Sequence, residues 1–455
     1  MVNPGDKVKI FCKEKEYVGI IIPSPHSDSI VLKLSTGYNI GILKSSIMKL
    51  EVLEVYSPKK ISEEKEIMQN KSLPTIAILH TGGTIASKVD YETGGVIARY
   101  SPEELLNMFP EIKKMANIKS RLIRNMWSED IRFAHYNILA EEIKKEIEQG
   151  ARGIIITHGT DTLHYTSCAL RFMFENLPIP ILLIGAQRSS DRGSSDAAQN
   201  ILSGVYFITH SSFCDVALCM HENSSDEWCS ILPGTKSRKM HSSRRDAFRP
   251  INTTPLARVH AKEGKIEWIQ EEKRNEEKRE ADKKEEEKKT EEKREEKEKK
   301  ELILKKFNTN IRVGILFVHP NMYHEEFQFY NGFDGLIIAG TGIAGNVPIN
   351  TIDEETKEHT KISEQIKRLI DHGTVVCAAT QTMYGGINMN VYSTGRKMQE
   401  LGILGNYCDM TIETAFIKLS FLLSNYSKEE VKRLFSQNMH NEIQDRIPAY
   451  EHFLL

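Results

Sequence analysis

Two threonines stand where a nucleophile could work. Thr84 lies in Thr81-Gly82-Gly83-Thr84-Ile85-Ala86-Ser87, directly behind the apolar run Thr75-Ile76-Ala77-Ile78-Leu79-His80. A buried strand that breaks into two glycines sets a hydroxyl at its C-terminal end, where ligands sit in open α/β sheets and backbone N–H groups can approach them. Alone, a Gly-Gly-Thr turn reads equally well as a tight strand-to-loop connection. The design recurs in Gly153-Ile154-Ile155-Ile156-Thr157-His158-Gly159-Thr160-Asp161-Thr162, which adds a carboxylate beside the second hydroxyl. Amide cleavage needs such a set: an attacking oxygen, a group to take its proton, donors for the oxyanion and a clamp for the remaining amino acid. A lysine whose pKa falls on burial can draw off a threonine proton.

Such turns need a sheet to hold them. Apolar runs at 75–80, 153–157, 179–185 and 215–220 read as buried parallel strands alternating with helical patterns such as Ile138, Leu139, Ile143 and Ile147. This predicts a doubly wound α/β unit over 74–268. Runs at 313–318, 335–339 and 374–379, with an amphipathic helix around Ala415, Ile417, Leu419 and Leu422, predict a separate, smaller α/β domain over 307–455. Residues 1–56 alternate apolar and polar positions in short runs between turns and predict a small β-barrel or meander. Residues 57–73 have linker composition. Within 269–306, the stretch Glu271–Lys300 is charged except at Asn275, Ala281 and Thr290, and it has no apolar stripe to bury. Its Glu-before-Lys spacings favour a solvated single helix, roughly 45 Å long at 1.5 Å per residue. Charge without aromatics is also the signature of disorder.

The 455 residues are too many for one core. A net charge of −2 argues against a strongly basic nucleic-acid binder. The seven cysteines, with no CxxC pair, point to a reducing compartment and no structural zinc site. His158 and His164 flank a turn while His80, His221 and His319 are scattered, so metal chemistry gains no support and each reads as a satisfied core or loop histidine. The amino terminus lacks the build of a signal peptide, and no apolar stretch reaches the ~18 residues a bilayer requires. A soluble, cytoplasmic protein away from membranes is expected.

The two glycine–threonine turns resemble those of the type I/II asparaginase and glutaminase family, which hydrolyses a side-chain amide through a threonine nucleophile. The resemblance implies an asparaginase-like core of two domains and assigns roles. Thr84 with Tyr91, in the Gly-rich loop Asp90-Tyr91-Glu92-Thr93-Gly94-Gly95, matches the first catalytic set; Thr160, Asp161 and Lys239 match the second. Lys239 lies in Gly234-Thr235-Lys236-Ser237-Arg238-Lys239, where Lys236 is the fallback if the register slips. Thr84 is expected to attack, with Thr160 and Lys239 relaying protons. Backbone N–H groups of these loops would hold the oxyanion, with Gly83 and Ala186 contributing to binding. Ser128, in Ser128-Glu129-Asp130, would take the substrate carboxylate, and Glu129 with Asp161 the ammonium. The hydrolases typically carry Gln where Glu129 stands; the bland reading of Glu129 is helix capping.

A second departure points to one branch of the family. Bacterial hydrolases insert an acid from the neighbouring protomer, yet Tyr384–Arg396 contains none. Asn388–Arg396, Asp409–Lys418 and the β-rich amino terminus with Gly37–Gly41 resemble instead the D subunits of archaeal glutamyl-tRNA(Gln) amidotransferases. That likeness implies a glutaminase or asparaginase that passes ammonia to a partner, the E subunit, which uses ATP and Mg to amidate Glu-tRNA(Gln). It also implies a homodimeric core and no cofactor in this chain, which has no P-loop or basic stripe of its own. A stand-alone cytosolic L-asparaginase and a non-enzymatic scaffold are the alternatives.

Overall fold

The computed structural model describes residues 2–24, 27–36, 38–56, 70–83, 85, 87–89, 96–98, 110–188, 194–270 and 301–447. Thr84, Tyr91, most of the linker and the charged segment 271–300 lie outside the described residues.

At the amino terminus β1 (Lys7–Cys12), β2 (Glu16–Ile22), β3 (Ser29–Leu34), β4 (Asn39–Leu43) and β5 (Ile47–Glu54) form one antiparallel sheet in the order β4-β3-β2-β1-β5. Alternation puts Val8, Ile10, Ile21, Leu32 and Ile42 on a common buried face. This corrects the barrel expectation: β4 and β5 are not paired with each other among the described residues, so the sheet is open. Closure depends on two edges meeting, which alternation within each strand does not encode.

The central sheet combines β6 (Thr75–Gly82), β7 (Asn117–Met126), β8 (Gly153–Thr157), β9 (Ile181–Ile184) and β10 (Val216–His221) with an antiparallel extension. Among the described residues three helices link its parallel strands: α1 (Phe133–Glu148), α2 (Leu163–Met173) and α3 (Ala197–His210). The parallel part runs β7-β6-β8-β9-β10, so the winding reverses between β6 and β8. In open α/β sheets ligands bind at the carboxyl ends of the strands at such a reversal. Both glycine–threonine turns follow these two strands.

The inner strands β6, β8, β9 and β10 bury both faces. Ala77, Leu79, Ile154, Ile156, Leu183 and Leu218 pack against α1 and α2, while Ile76, Ile78, Ile155, Leu182, Ile184 and Ala217 pack against α3. Beyond β10 the sheet continues through β11 (Cys229–Pro233). The chain then leaves it in a hairpin of β12 (Ser237–Lys239) and β13 (Phe248–Pro250), and returns as β14 (Ala257–His260) and β15 (Lys265–Trp268).

The carboxyl-terminal part has a three-stranded parallel sheet of β16 (Val313–Phe317), β17 (Gly335–Gly340) and β18 (Val375–Thr380), with α4 (Glu358–Asp371) on one face. On the other face α5 (Ile412–Asn425) lies between the two sheets. Its Ile417, Leu419, Phe421 and Leu422 join one apolar cluster with Ile337, Ala339 and Cys377 on one side and with Leu170, Phe172 and Met173 of α2 on the other. The smaller unit expected to be separate thus shares a continuous core with the larger one.

Candidate active site

The turns after β6 and β8 meet backbone to backbone. Gly83 has φ +83°, and a Cβ there would lie 2.5 Å from the Gly159 nitrogen. Only a residue without a side chain permits that approach. A Cβ on Gly159 would in turn fall 2.8 Å from the Ser128 Cβ, so Gly83, Gly159 and Ser128 line one crevice. Beneath it, His80 ties three strands together. Its Nδ1 lies 2.7 Å from Thr157 Oγ1 on β8 and its Nε2 2.9 Å from Ser120 Oγ on β7. The Thr81 hydroxyl donates to the Thr157 carbonyl at 3.0 Å.

Lys239 ends β12 and reaches the second turn. Its Nζ is 2.8 Å from Thr160 Oγ1 and 2.8 Å from Asp161 Oδ1. The lysine side chain is only 9% exposed, whereas that of Asp161 is 69% exposed, so the amine is enclosed and its carboxylate partner opens to solvent. The approach to Lys239 is anchored at three backbone oxygens: Ser167 Oγ donates to Gly234 O at 2.7 Å, Thr414 Oγ1 to Thr235 O at 2.7 Å, and Ile251 N to Lys236 O at 2.7 Å.

Lys236, the fallback, is excluded by its surroundings. It is buried and turned away from the crevice, with Nζ 2.6 Å from Asp409 Oδ2 and 3.3 Å from Glu442 O. Burial pushes its pKa down while Asp409 pulls it back up. Its neighbour Arg238 pairs at 3.0 Å with the buried Glu413 in the first turn of α5.

Ser128 is buried at the start of a short 3-10 turn, Ser128–Asp130, whose Ser128 carbonyl accepts from Thr162 Oγ1 at 2.6 Å. Glu129 is exposed, with Oε2 3.4 Å from the Ser128 hydroxyl. Ala186 is buried in the turn after β9. Sequence reasoning missed what holds this turn: buried Asp196 accepts from Gln187 N and Arg188 N at 3.0 Å each, and Asn200 Nδ2 donates to Gly185 O at 2.9 Å. An aspartate just ahead of α3 and an asparagine in its first turn carried no signal for this. Gly83, Ser128, Thr160, Asp161 and Lys239 therefore lie around one crevice, Ala186 lies one residue from Gly185, and a Cβ on Gly185 would be 2.7 Å from the Thr160 methyl.

Residues 75–274 match the asparaginase N-terminal domain, residues 312–435 the glutaminase/asparaginase C-terminal domain, and residues 2–53 the GatD N-terminal domain. The L-asparaginase of Thermococcus kodakarensis superposes with a TM-score of 0.65 at 25% identity, covering 82% of this chain and all of its own. L-asparaginase I of Vibrio cholerae gives 0.64 at 26% identity, with coverage of 82% and 99%. The D subunit of the glutamyl-tRNA(Gln) amidotransferase of Methanococcus maripaludis is 40% identical over 97% of this chain and 98% of its own length. That of Pyrococcus furiosus is 40% identical over 97% and 95%. The part of the chain that the asparaginases leave uncovered is matched in these relatives, and on that ground the chain belongs to the family of glutamyl-tRNA(Gln) amidotransferase D subunits, built on an asparaginase-type core.

Proposed function

We infer that this chain is the amidohydrolase subunit of a tRNA-dependent amidotransferase, hydrolysing the side-chain amide of glutamine, or of asparagine, to supply ammonia. The observation that carries the reading is Lys239 bridging Thr160 and Asp161 at the crevice between two glycine turns. In the proposed reaction the Thr84 hydroxyl attacks the amide carbon and loses its proton toward Thr160. Lys239 takes a proton from Thr160 and returns it to the departing nitrogen, which leaves as ammonia. Water then cleaves the Thr84 ester and releases the acid. Tyr91 would close over the substrate, Ser128 would hold its carboxylate, and Glu129 with Asp161 its ammonium. Backbone N–H groups, that of Ala186 among them, would hold the oxyanion. The ammonia would pass to the E subunit, which would spend ATP, with Mg, on amidating Glu-tRNA(Gln); two copies of each of the two chains are the proposed assembly.

The test is ammonia release from glutamine and from asparagine by the purified chain, with and without the E subunit and Glu-tRNA(Gln). Turnover of glutamine that rises with partner and charged tRNA is the expected outcome. Full asparagine turnover by the chain alone, indifferent to both, would replace this reading with a free-standing L-asparaginase. No ammonia release under any condition would leave only a scaffold.

A further inference from the structure

His158 sits between β8 and the Thr160–Asp161 pair, and no step above uses it. Its ring is buried, and burial lowers its pKa to about 4, so it is neutral in neutral solution. Nδ1 lies 2.7 Å from Gly159 O, and Nε2 lies 2.9 Å from Thr166 Oγ1. A carbonyl oxygen can only accept, which fixes the tautomer: Nδ1 carries the proton and Nε2 accepts from the Thr166 hydroxyl. The alternative acceptor for that hydroxyl, Thr162 O, is farther away at 3.4 Å. Both bonds run one way, from Thr166 through His158 to the Gly159 carbonyl.

That carbonyl belongs to the peptide that carries the Thr160 N–H. Among the described residues no peptide bond is cis, and in a trans peptide C=O and N–H point to opposite sides. A Gly159 oxygen drawn inward onto His158 therefore turns the Thr160 N–H away from the core. Thr160 is buried, yet its N–H meets no acceptor among the described residues. An N–H left without an acceptor in a buried residue is a donor that awaits an oxygen.

We propose that His158 is a positioning residue for amide cleavage, acting through the Gly159 carbonyl to aim the Thr160 backbone N–H at the oxygen that becomes negative when the amide carbon is attacked. The inference rests on the amidohydrolase reading. Its chemistry requires a donor on the imidazole's Nδ1 side only, and the two amide replacements separate that side from the other. Asparagine sets an amide N–H where Nδ1–H lay; glutamine reaches the Nε2 position and keeps Thr166 but not Gly159.

The experiment measures kcat, KM and melting temperature of full-length His158→Asn and His158→Gln. The expected result is a kcat within about fivefold of the parent for Asn. For Gln it is a kcat lower by about 10²–10³-fold with KM within about threefold, the size seen when one oxyanion donor is lost. A Gln variant at parental kcat, or equal losses in both variants that track their melting temperatures, overturns the proposal. Should neither variant fold, Thr166→Val, which removes the hydroxyl anchoring Nε2 and lets the ring turn off the Gly159 carbonyl, is read instead. A kcat at least tenfold lower at constant KM supports the role, and an unchanged kcat overturns it. Failure of the underlying reading is separate: Lys239→Met would then release ammonia as the parent does, whatever His158 variants show.

Discussion

Lys236 and Lys239 stand three positions apart, and along an extended segment that odd spacing sends their side chains to opposite faces. One closes a buried ion pair with Asp409; the other meets Thr160 and Asp161. The sequence alone leaves the choice between them open, because a basic run looks the same in either register. Replacing them should separate stability from chemistry. Lys236→Met strands a buried carboxylate and should cost about 3–5 kcal/mol in urea unfolding. Lys239→Met, by contrast, should leave the urea midpoint near that of the parent while abolishing ammonia release. Equal effects of the two substitutions on turnover at matched stability would count against the division. The turns themselves were legible because a glycine–threonine design recurs, each time behind an apolar run. Asp196 and Asn200 were not, because their role depends on a turn brought to them by the fold.

At the scale of elements, the crevice exists because the strand order reverses between β6 and β8. The sequence supplied strands and helices in the right alternation, but it does not state which strands become neighbours. What it did supply is Gly83, which lets the two turns touch. Gly83→Ala would place a Cβ against the Gly159 backbone and force an L-residue at positive φ. Strain of about 1–2 kcal/mol from the left-handed conformation alone is expected, with the turns pushed apart. A kcat more than tenfold lower, together with a reduced melting temperature, is the expected measurement; an alanine variant with both values intact would show that the close approach is dispensable. The open amino-terminal sheet carries the opposite lesson. Its strands were readable from alternation, but barrel closure was not, because the fate of two edges is decided between distant segments.

For the whole molecule, three histidines whose pKa falls on burial set a pH dependence with a definite sign. Burial lowers His158 and His440 to about 4 and His164 to about 3, from an ordinary value of 6.5. Between about 6.5 and 4 the unfolded chain binds protons that the folded chain refuses, so stability must fall as pH falls through that window. Each such group contributes a slope of about 1.4 kcal/mol per pH unit there. Urea midpoints measured from pH 7.5 to 4 should drop steeply below 6.5 and stay flat above it as far as these groups are concerned. His158→Asn should make the drop shallower by one histidine's share. A profile unchanged by that substitution would mean that the ring titrates normally.

The apolar cluster that α5 shares with α2 bears on what would happen if the polypeptide were severed. A protease cut between residues 271 and 300 breaks the covalent path between the two sheets but removes none of the side chains that fill the space between them. The chain beyond the cut also stays stitched to the first body, through Lys305 N to Met173 O at 2.8 Å and the paired amide of Asn137 with Phe307. The two fragments should therefore elute together, melt in a single transition and keep turning over amide, as one folded unit made of two strings.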